Sequence, residues 1–269
     1  MKKNAPIGVF DSGVGGLTVA KEIMRALPGE SIVYYGDTAR VPYGTKSPET
    51  VIAYSRQIAK FLMSQQVKAM VVACNTISAL ALETIKQEFD VPFIGVVKPG
   101  AKVAAQATKN KRIGVIATEG TIASGMYEDF LKSTNPEVDV YGKACPLFVP
   151  LAEECWLDDP VTKQVAERYL AELKEKQVDT LVLGCTHYPL LRKVIGEVMG
   201  DTVTLVNPAY ETAQELRYVL EDNHISKDTK EEPVHKFYVS DGAEKFRRIA
   251  NMILPCEIEV EDVAIKSFE

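Results

Sequence analysis

Two stretches decide the fold: Val71-Val72-Ala73-Cys74-Asn75-Thr76 and Val182-Leu183-Gly184-Cys185-Thr186-His187. Each runs from apolar residues through a small residue to a cysteine, then to polar side chains. A short apolar run bounded in this way fits a buried parallel strand. The cysteine then falls at the carboxyl end of the strand, where ligands bind in open α/β sheets. Two thiols at matching places in two halves can face one molecule from opposite sides. That geometry suits a reaction that takes a proton from one face of a carbon and returns one to the other.

Around these stretches the chain repeats itself. Ile7-Gly8-Val9 recurs as Ile113-Gly114-Val115, Gln66-Val67 as Gln177-Val178, and Val97-Lys98-Pro99 as Val206-Asn207-Pro208. The anchors keep one order and nearly constant separation, which implies two homologous halves. Strand-like runs at 7–10, 32–35, 69–73 and 93–97 alternate with helical apolar spacing near 17–26, 49–64 and 78–88. The alternation predicts βαβ units. The expected fold is α/β: two pseudo-symmetric α/β domains with mainly parallel sheets and an active-site cleft between them. Residues 1–97 plus 208–269 form the expected first domain, and residues 98–207 the second. Residues before proline favour extended backbone, so the two proline-containing repeats read as chain breaks at the crossings. Beyond Pro208 the chain offers a helix (209–220), a polar loop (226–233), a strand (236–239), a helix (243–253) and a terminal strand. This tail is expected to return to the first half.

Composition narrows the function. The chain has 269 residues, 46% of them hydrophobic, and a net charge of −6. Its lysines and arginines are scattered, which argues against a nucleic-acid partner. The amino-terminal lysines are followed by too short an apolar run, interrupted at Asp11, for a signal peptide. No apolar run approaches the roughly 18 residues that span a bilayer. No membrane partner and a cytoplasmic location are therefore expected. The five cysteines are an odd number, which favours free thiols in a reducing compartment. There is no C-x-x-C, and His187, His224 and His235 are dispersed, so no metal is expected. The loop Asp11-Ser12-Gly13-Val14-Gly15-Gly16 lacks a following Gly-Lys-Ser/Thr, and the sixth position from Gly13 is Thr18. It fits neither nucleotide pattern.

The candidate residues each carry a plain and a chemical reading. Most single cysteines are inert buried apolar groups, but matched placement favours chemistry for Cys74 and Cys185. A helix starting after each would favour thiolate. Asp11 is either a helix N-cap or a group that holds an ammonium or orients Cys74. Asn75, Thr76, Thr186 and His187 either cap helices or hydrogen-bond the charged groups of a substrate. His187 is the asymmetric element, since Thr76 takes its place in the first half. Pro42-Tyr43-Gly44 is a turn or a clamp working through backbone N–H groups. Glu153, beside Glu154, belongs to a solvated face or tunes His187. The loop from Thr118 to Thr121 parallels the Asp11 loop.

Five motifs together carry a resemblance: FDSGVGGLTV (10–19), YGDTARVPYG (35–44), ACNT (73–76), CPLFVPLAEE (145–154) and GCTHYP (184–189). Over nearly its full length the chain resembles bacterial glutamate racemases of the aspartate/glutamate racemase superfamily. The resemblance implies racemisation of glutamate without pyridoxal phosphate, metal or nucleotide, feeding D-glutamate to peptidoglycan synthesis. It implies that Cys74 abstracts the α-proton of D-glutamate and Cys185 that of L-glutamate. Asp11 would support Cys74; His187, with Glu153 behind it, would support Cys185. Ser12, Tyr43, Gly44, Asn75, Thr76 and Thr186 would hold the substrate, with Thr118 and Thr121 as further binding candidates. A homodimer is left open, and Lys98 matches no family role. Aspartate racemase is the near rival, since one methylene is worth only ~1–3 kcal/mol of discrimination. Its second motif places an acid where this chain has His187. A non-catalytic two-lobed amino-acid-binding protein would need no paired thiols. A thiol redox protein is disfavoured by the missing C-x-x-C.

Overall fold

The computed structural model describes residues 3–229 and 231–263. Lys2 of the amino-terminal lysine pair and Lys230 of the expected polar loop lie outside the described residues. The chain opens with β1 (Ile7–Asp11), α1 (Leu17–Ala26), β2 (Ile32–Gly36), α2 (Pro48–Ser64), β3 (Ala69–Val72), α3 (Asn75–Leu80), α4 (Leu82–Ile85) and β4 (Phe93–Gly95). Helix α5 (Val97–Ala107) leads to β5 (Arg112–Ala117), α6 (Glu119–Ala123), α7 (Met126–Thr134), β6 (Asp139–Ala144) and α8 (Phe148–Glu153). There follow α9 (Pro160–Glu175), β7 (Thr180–Gly184), α10 (Arg192–Met199) and β8 (Thr204–Val206). Helix α11 (Pro208–Asp222) leads back to β9 (His235–Val239), α12 (Ala243–Ile253) and β10 (Val260–Asp262).

These elements build two sheets, ordered β10-β9-β2-β1-β3-β4 and β6-β5-β7-β8. Every described pairing is parallel. Alternate side chains of β1 explain the layering. Ile7 and Val9 pack with α1, α11 and α12 residues such as Leu17, Leu216 and Phe246, while Phe10 packs with Ile58 and Leu62 of α2 on the other face. Strands covered on both faces read as continuous apolar runs, which is why β1, β3 and β7 are buried throughout. The tail returns as expected, since β9 pairs with β2.

The internal repeat is structural. In each half the first strand lies beside the strand that precedes the cysteine: Ile7 aligns with Ala69, and Ile113 with Thr180. Even the turns match, for Gln66 and Gln177 both adopt positive φ, 59° and 54°. The cysteines therefore leave equivalent strand ends.

Three local expectations are corrected. The run 93–97 is not one strand, because β4 stops at Gly95 and Val97 begins α5. Pro99 is tolerated there because first-turn N–H groups have no intrahelical partner to lose. Pro208 likewise starts α11, behind Asn207, whose Oδ1 accepts from the Ala209 N–H at 3.1 Å. The crossings are thus helices rather than chain breaks. They touch closely: a Cβ on Gly100 would lie 2.7 Å from Pro208 Cγ. The helix expected over 78–88 begins earlier and breaks at Ala81 into α3 and α4. No described helix is long and apolar enough to cross a membrane.

Candidate active site

Loops leaving the carboxyl ends of β1, β2 and β3 meet those leaving β5 and β7. Between them lies a cavity of about 20 Å³. Ser12, Tyr43, Gly44, Cys74, Asn75 and Thr76 line it from one half; Thr118, Cys185, Thr186 and His187 line it from the other. Both cysteines are buried free thiols. The cavity has room for about one water, far less than an amino acid needs. Beside it a wider cavity of about 400 Å³, lined by Val41, Pro42, Gly44, Thr118, Val149 and Glu153 among others, forms an antechamber.

Hydrogen bonds across the crevice hold it shut. The Gly120 N–H donates to Gly44 O at 2.9 Å. Thr76 Oγ1 lies 2.9 Å from Thr118 Oγ1, which lies 3.0 Å from Thr121 Oγ1. Thr18 Oγ1 donates to Thr186 O at 3.2 Å. Gly44 is needed at the mouth, because a Cβ there would fall 2.5 Å from Thr118 Cβ. Gly44→Ala is therefore expected to hold the loops apart and lower kcat/KM by about 10²-fold, the scale of an ångström-sized misplacement. Steady-state kinetics check this, and Thr118→Gly in the same chain should recover part of the loss.

Around the thiols the contacts are unequal. Cys74 caps α3 through its backbone, and its Sγ donates to Ser12 Oγ at 3.7 Å. Cys185 Sγ lies 3.8 Å from His187 Nδ1, and His187 Nε2 lies 3.2 Å from Glu153 Oε1. Lys245 adds a longer contact to the other oxygen of Glu153, at 3.7 Å. Asp11 Oδ2 accepts from the Gly13 and Gly16 N–H groups, both at 3.0 Å, and Oδ1 accepts from Thr186 Oγ1 at 3.3 Å.

The family model for Asp/Glu/hydantoin racemases matches residues 7–216. The chain is 55% identical to the glutamate racemase of Geobacter metallireducens over 92% of both chains. It belongs to the Asp/Glu/hydantoin racemase family, in its glutamate racemase branch. The solved Francisella tularensis glutamate racemase in complex with D-glutamate is 40% identical, with TM-score 0.92, covering 99% of this chain and 100% of that one. Escherichia coli glutamate racemase, solved with L-glutamate and the activator UDP-MurNAc-ala, is 30% identical with TM-score 0.79, covering 92% and 95%.

Electrostatics refine the racemase site. The expected thiolate is corrected at Cys74: burial, then the Asp11 charge, pushes this thiol up to about 12 against the Ile77 N–H and Ser12. A six-residue helix does not offset that burial. No α-helix begins at the second cysteine; a 3₁₀ turn, Tyr188–Leu191, follows instead. Burial alone would lower His187, but its hydrogen bonds to Cys185 and Glu153 and the Cys185 and Asp11 charges raise it to about 10. Burial would raise Glu153, but the hydrogen bond and charge of His187, with Lys245, leave it lowered. These contacts make His187 hold a proton more tightly than a free imidazole, with Nδ1 turned toward the Cys185 thiol. Burial raises Asp11, opposed by His187 and its own hydrogen bonds.

Several candidates take other partners than their plain readings predict. Asp11 ties its own loop to Thr186, while Gly16 is the N-cap of α1. It reaches Cys74 through charge rather than a hydrogen bond. The Asn75 and Thr76 side chains bond across the crevice instead of capping α3. Tyr43 buries its ring and donates its hydroxyl to Asp37 Oδ2. Glu153 stands behind His187 and faces the antechamber rather than the inner cavity. Sequence reasoning missed Tyr127, Thr18 and Val149. Val149 lies inside the 145–154 motif, which was the available signal; Tyr127 and Thr18 sit in ordinary helical stretches. Among the described residues, no group of three or more His, Cys, Asp or Glu is placed to hold a metal ion.

Proposed function

We propose that this chain racemises glutamate by two-base proton transfer between Cys74 and Cys185. The observation that carries the reading is the pair of buried thiols lining one closed cavity from equivalent strand ends of two repeated halves. Relatives solved with D-glutamate and with L-glutamate supply the substrate. In the L-to-D direction Cys185, as thiolate, takes the α-proton, and the electron pair stays on the α-carbon and its carboxylate. Cys74, as thiol, then gives its proton to the opposite face. The reverse direction exchanges the two roles, so one proton leaves and one returns in each turnover.

The hard step is the carbanion, since a carboxylate that is already negative acidifies glutamate's α-carbon only weakly. Preorganised donors supply most such stabilisation. Ser12, Asn75, Thr76 and Thr186, together with loop N–H groups, are proposed to hold the carboxylates, with Thr118 and Thr121 completing the hydroxyl cluster. Asp11 is proposed to face the ammonium group. That cation offsets the Asp11 charge and eases formation of thiolate at Cys74, countering the burial that raises this thiol. We also propose the division at 97/98 and 207/208 as the hinge, where α5 and α11 cross side by side. The product D-glutamate would serve peptidoglycan synthesis. The protein should act in the cytoplasm as a small-molecule enzyme without a nucleic-acid, membrane or cofactor partner.

The test is direct. Purified protein dialysed against chelator, without pyridoxal phosphate, should convert either enantiomer of glutamate to a near-equal mixture. An enantiomer that stays unchanged, with aspartate racemised instead, would favour the rival substrate.

A further inference from the structure

Tyr127 of α7 is 4% exposed, and its hydroxyl donates to Asn75 Oδ1 at 2.6 Å. The bond joins the two halves. Asn75 follows Cys74 and lines the inner cavity. The tyrosine ring packs against the residue before the other cysteine: a Cβ on Gly184, which precedes Cys185, would be 3.1 Å from Tyr127 Cε2. A Cβ on Gly100 of the crossing helix α5 would be 3.5 Å from the phenol oxygen. One rigid side chain is therefore wedged between the residue after the first thiol, the residue before the second and the hinge.

A primary amide presents an acceptor on one side and two donors on the other, with nearly the same shape. Which side faces the cavity decides whether the site attracts or repels a carboxylate. We propose that Tyr127 is a positioning residue that locks the Asn75 amide with Oδ1 turned away from the cavity and Nδ2 turned toward a substrate carboxylate. A phenol suits the task because burial raises its pKa, so it stays protonated and remains a donor. Flipped, the amide would set its oxygen against the carboxylate and leave Nδ2 beside a hydroxyl able to accept only weakly. The inference rests on the racemase reading and adds to it a residue outside the cavity wall.

The test is Tyr127→Phe, which keeps the ring and removes only the donor. KM for L-glutamate and for D-glutamate should both rise about tenfold (~1.4 kcal/mol), with kcat within about threefold, the scale of one hydrogen bond to a charged group. Both directions must shift alike, because the carboxylate is common to both enantiomers and the equilibrium constant is fixed. In an Asn75→Ala background the same change should add less than about twofold, since the amide it positions is gone. Unchanged KM, or a tenfold rise that persists without Asn75, overturns the proposal. Should Tyr127→Phe give no folded protein, Asn75→Asp reads the same orientation. With one oxygen still held by Tyr127, the other replaces Nδ2, and like-charge repulsion should raise KM by at least about 10²-fold; a KM within twofold of the parent overturns the proposal. The parent enzyme separates the two readings: if it fails to racemise glutamate, the racemase reading falls. A racemising parent with an indifferent Tyr127→Phe defeats only the role of Tyr127.

Discussion

Cys74→Ser and Cys185→Ser are each expected to abolish racemisation, yet each should retain one stereospecific half-reaction. A serine hydroxyl is far less acidic than a thiol and cannot serve as the base near neutral pH, so loss should reach or exceed the 10²–10⁴-fold typical of removing an acid–base group. The remaining cysteine still abstracts a proton from its own face. Given a glutamate analogue with a leaving group on the β-carbon, the electron pair freed at the α-carbon expels that group, and no second thiol is needed. Cys74→Ser should therefore still eliminate from the L-analogue, and Cys185→Ser from the D-analogue. Coupled assays of the keto-acid product measure both. Racemisation at parental rate in either variant contradicts the two-base assignment; elimination from the opposite enantiomer would exchange the roles of the thiols.

His187→Asn should slow the L-to-D direction by about 10²–10⁴-fold in kcat. Asparagine can keep a hydrogen bond to Glu153 but cannot carry the proton that the imidazole, raised to about 10, is proposed to exchange with Cys185. Because the overall equilibrium constant is fixed, kcat/KM must fall equally in both directions. The asymmetry therefore appears in kcat and in the primary isotope effect of each direction. Parental kcat and isotope effects in both directions would leave His187 a structural residue. The same substitution has a stability signature. The folded pKa lies above the ordinary 6.5, so the charged histidine's contribution is fully present below about pH 6.5 and is lost as pH rises through about 10. Urea unfolding across that window should show the gap between parent and His187→Asn narrowing with pH.

The fold was legible because its evidence is repeated. Cys74 and Cys185, Ile7 and Ile113, and Gln66 and Gln177 occupy equivalent structural places, so each copy corroborates the other. Buried parallel strands also announce themselves as apolar runs. What failed was local. Val97-Lys98-Pro99 reads as extended because proline restrains its predecessor, yet the first turn of α5 accommodates it. The helix after Cys74 favours thiolate and is visible in the sequence; the burial that outweighs it is tertiary. The candidates around the cavity were legible as a set, because strand ends in equivalent halves converge. Their pairings were not. That Asp11 would bond Thr186, that Gly44 would press on Thr118, and that Tyr127 would hold Asn75 all depend on how the halves close. No sequence period encodes that closure.

In the two-base mechanism proposed for this site, two thiols act on opposite faces of one carbon. Incubation with L-glutamate in D₂O, stopped early and resolved by enantiomer and isotope, tests it most directly. D-glutamate should carry deuterium at the α-carbon from its first appearance, delivered by a deuterated Cys74 thiol, while recovered L-glutamate keeps its hydrogen. Early D-glutamate that retains the original α-hydrogen, or L-glutamate that gains deuterium as fast as D-glutamate forms, would mean one base serving both faces and would contradict it.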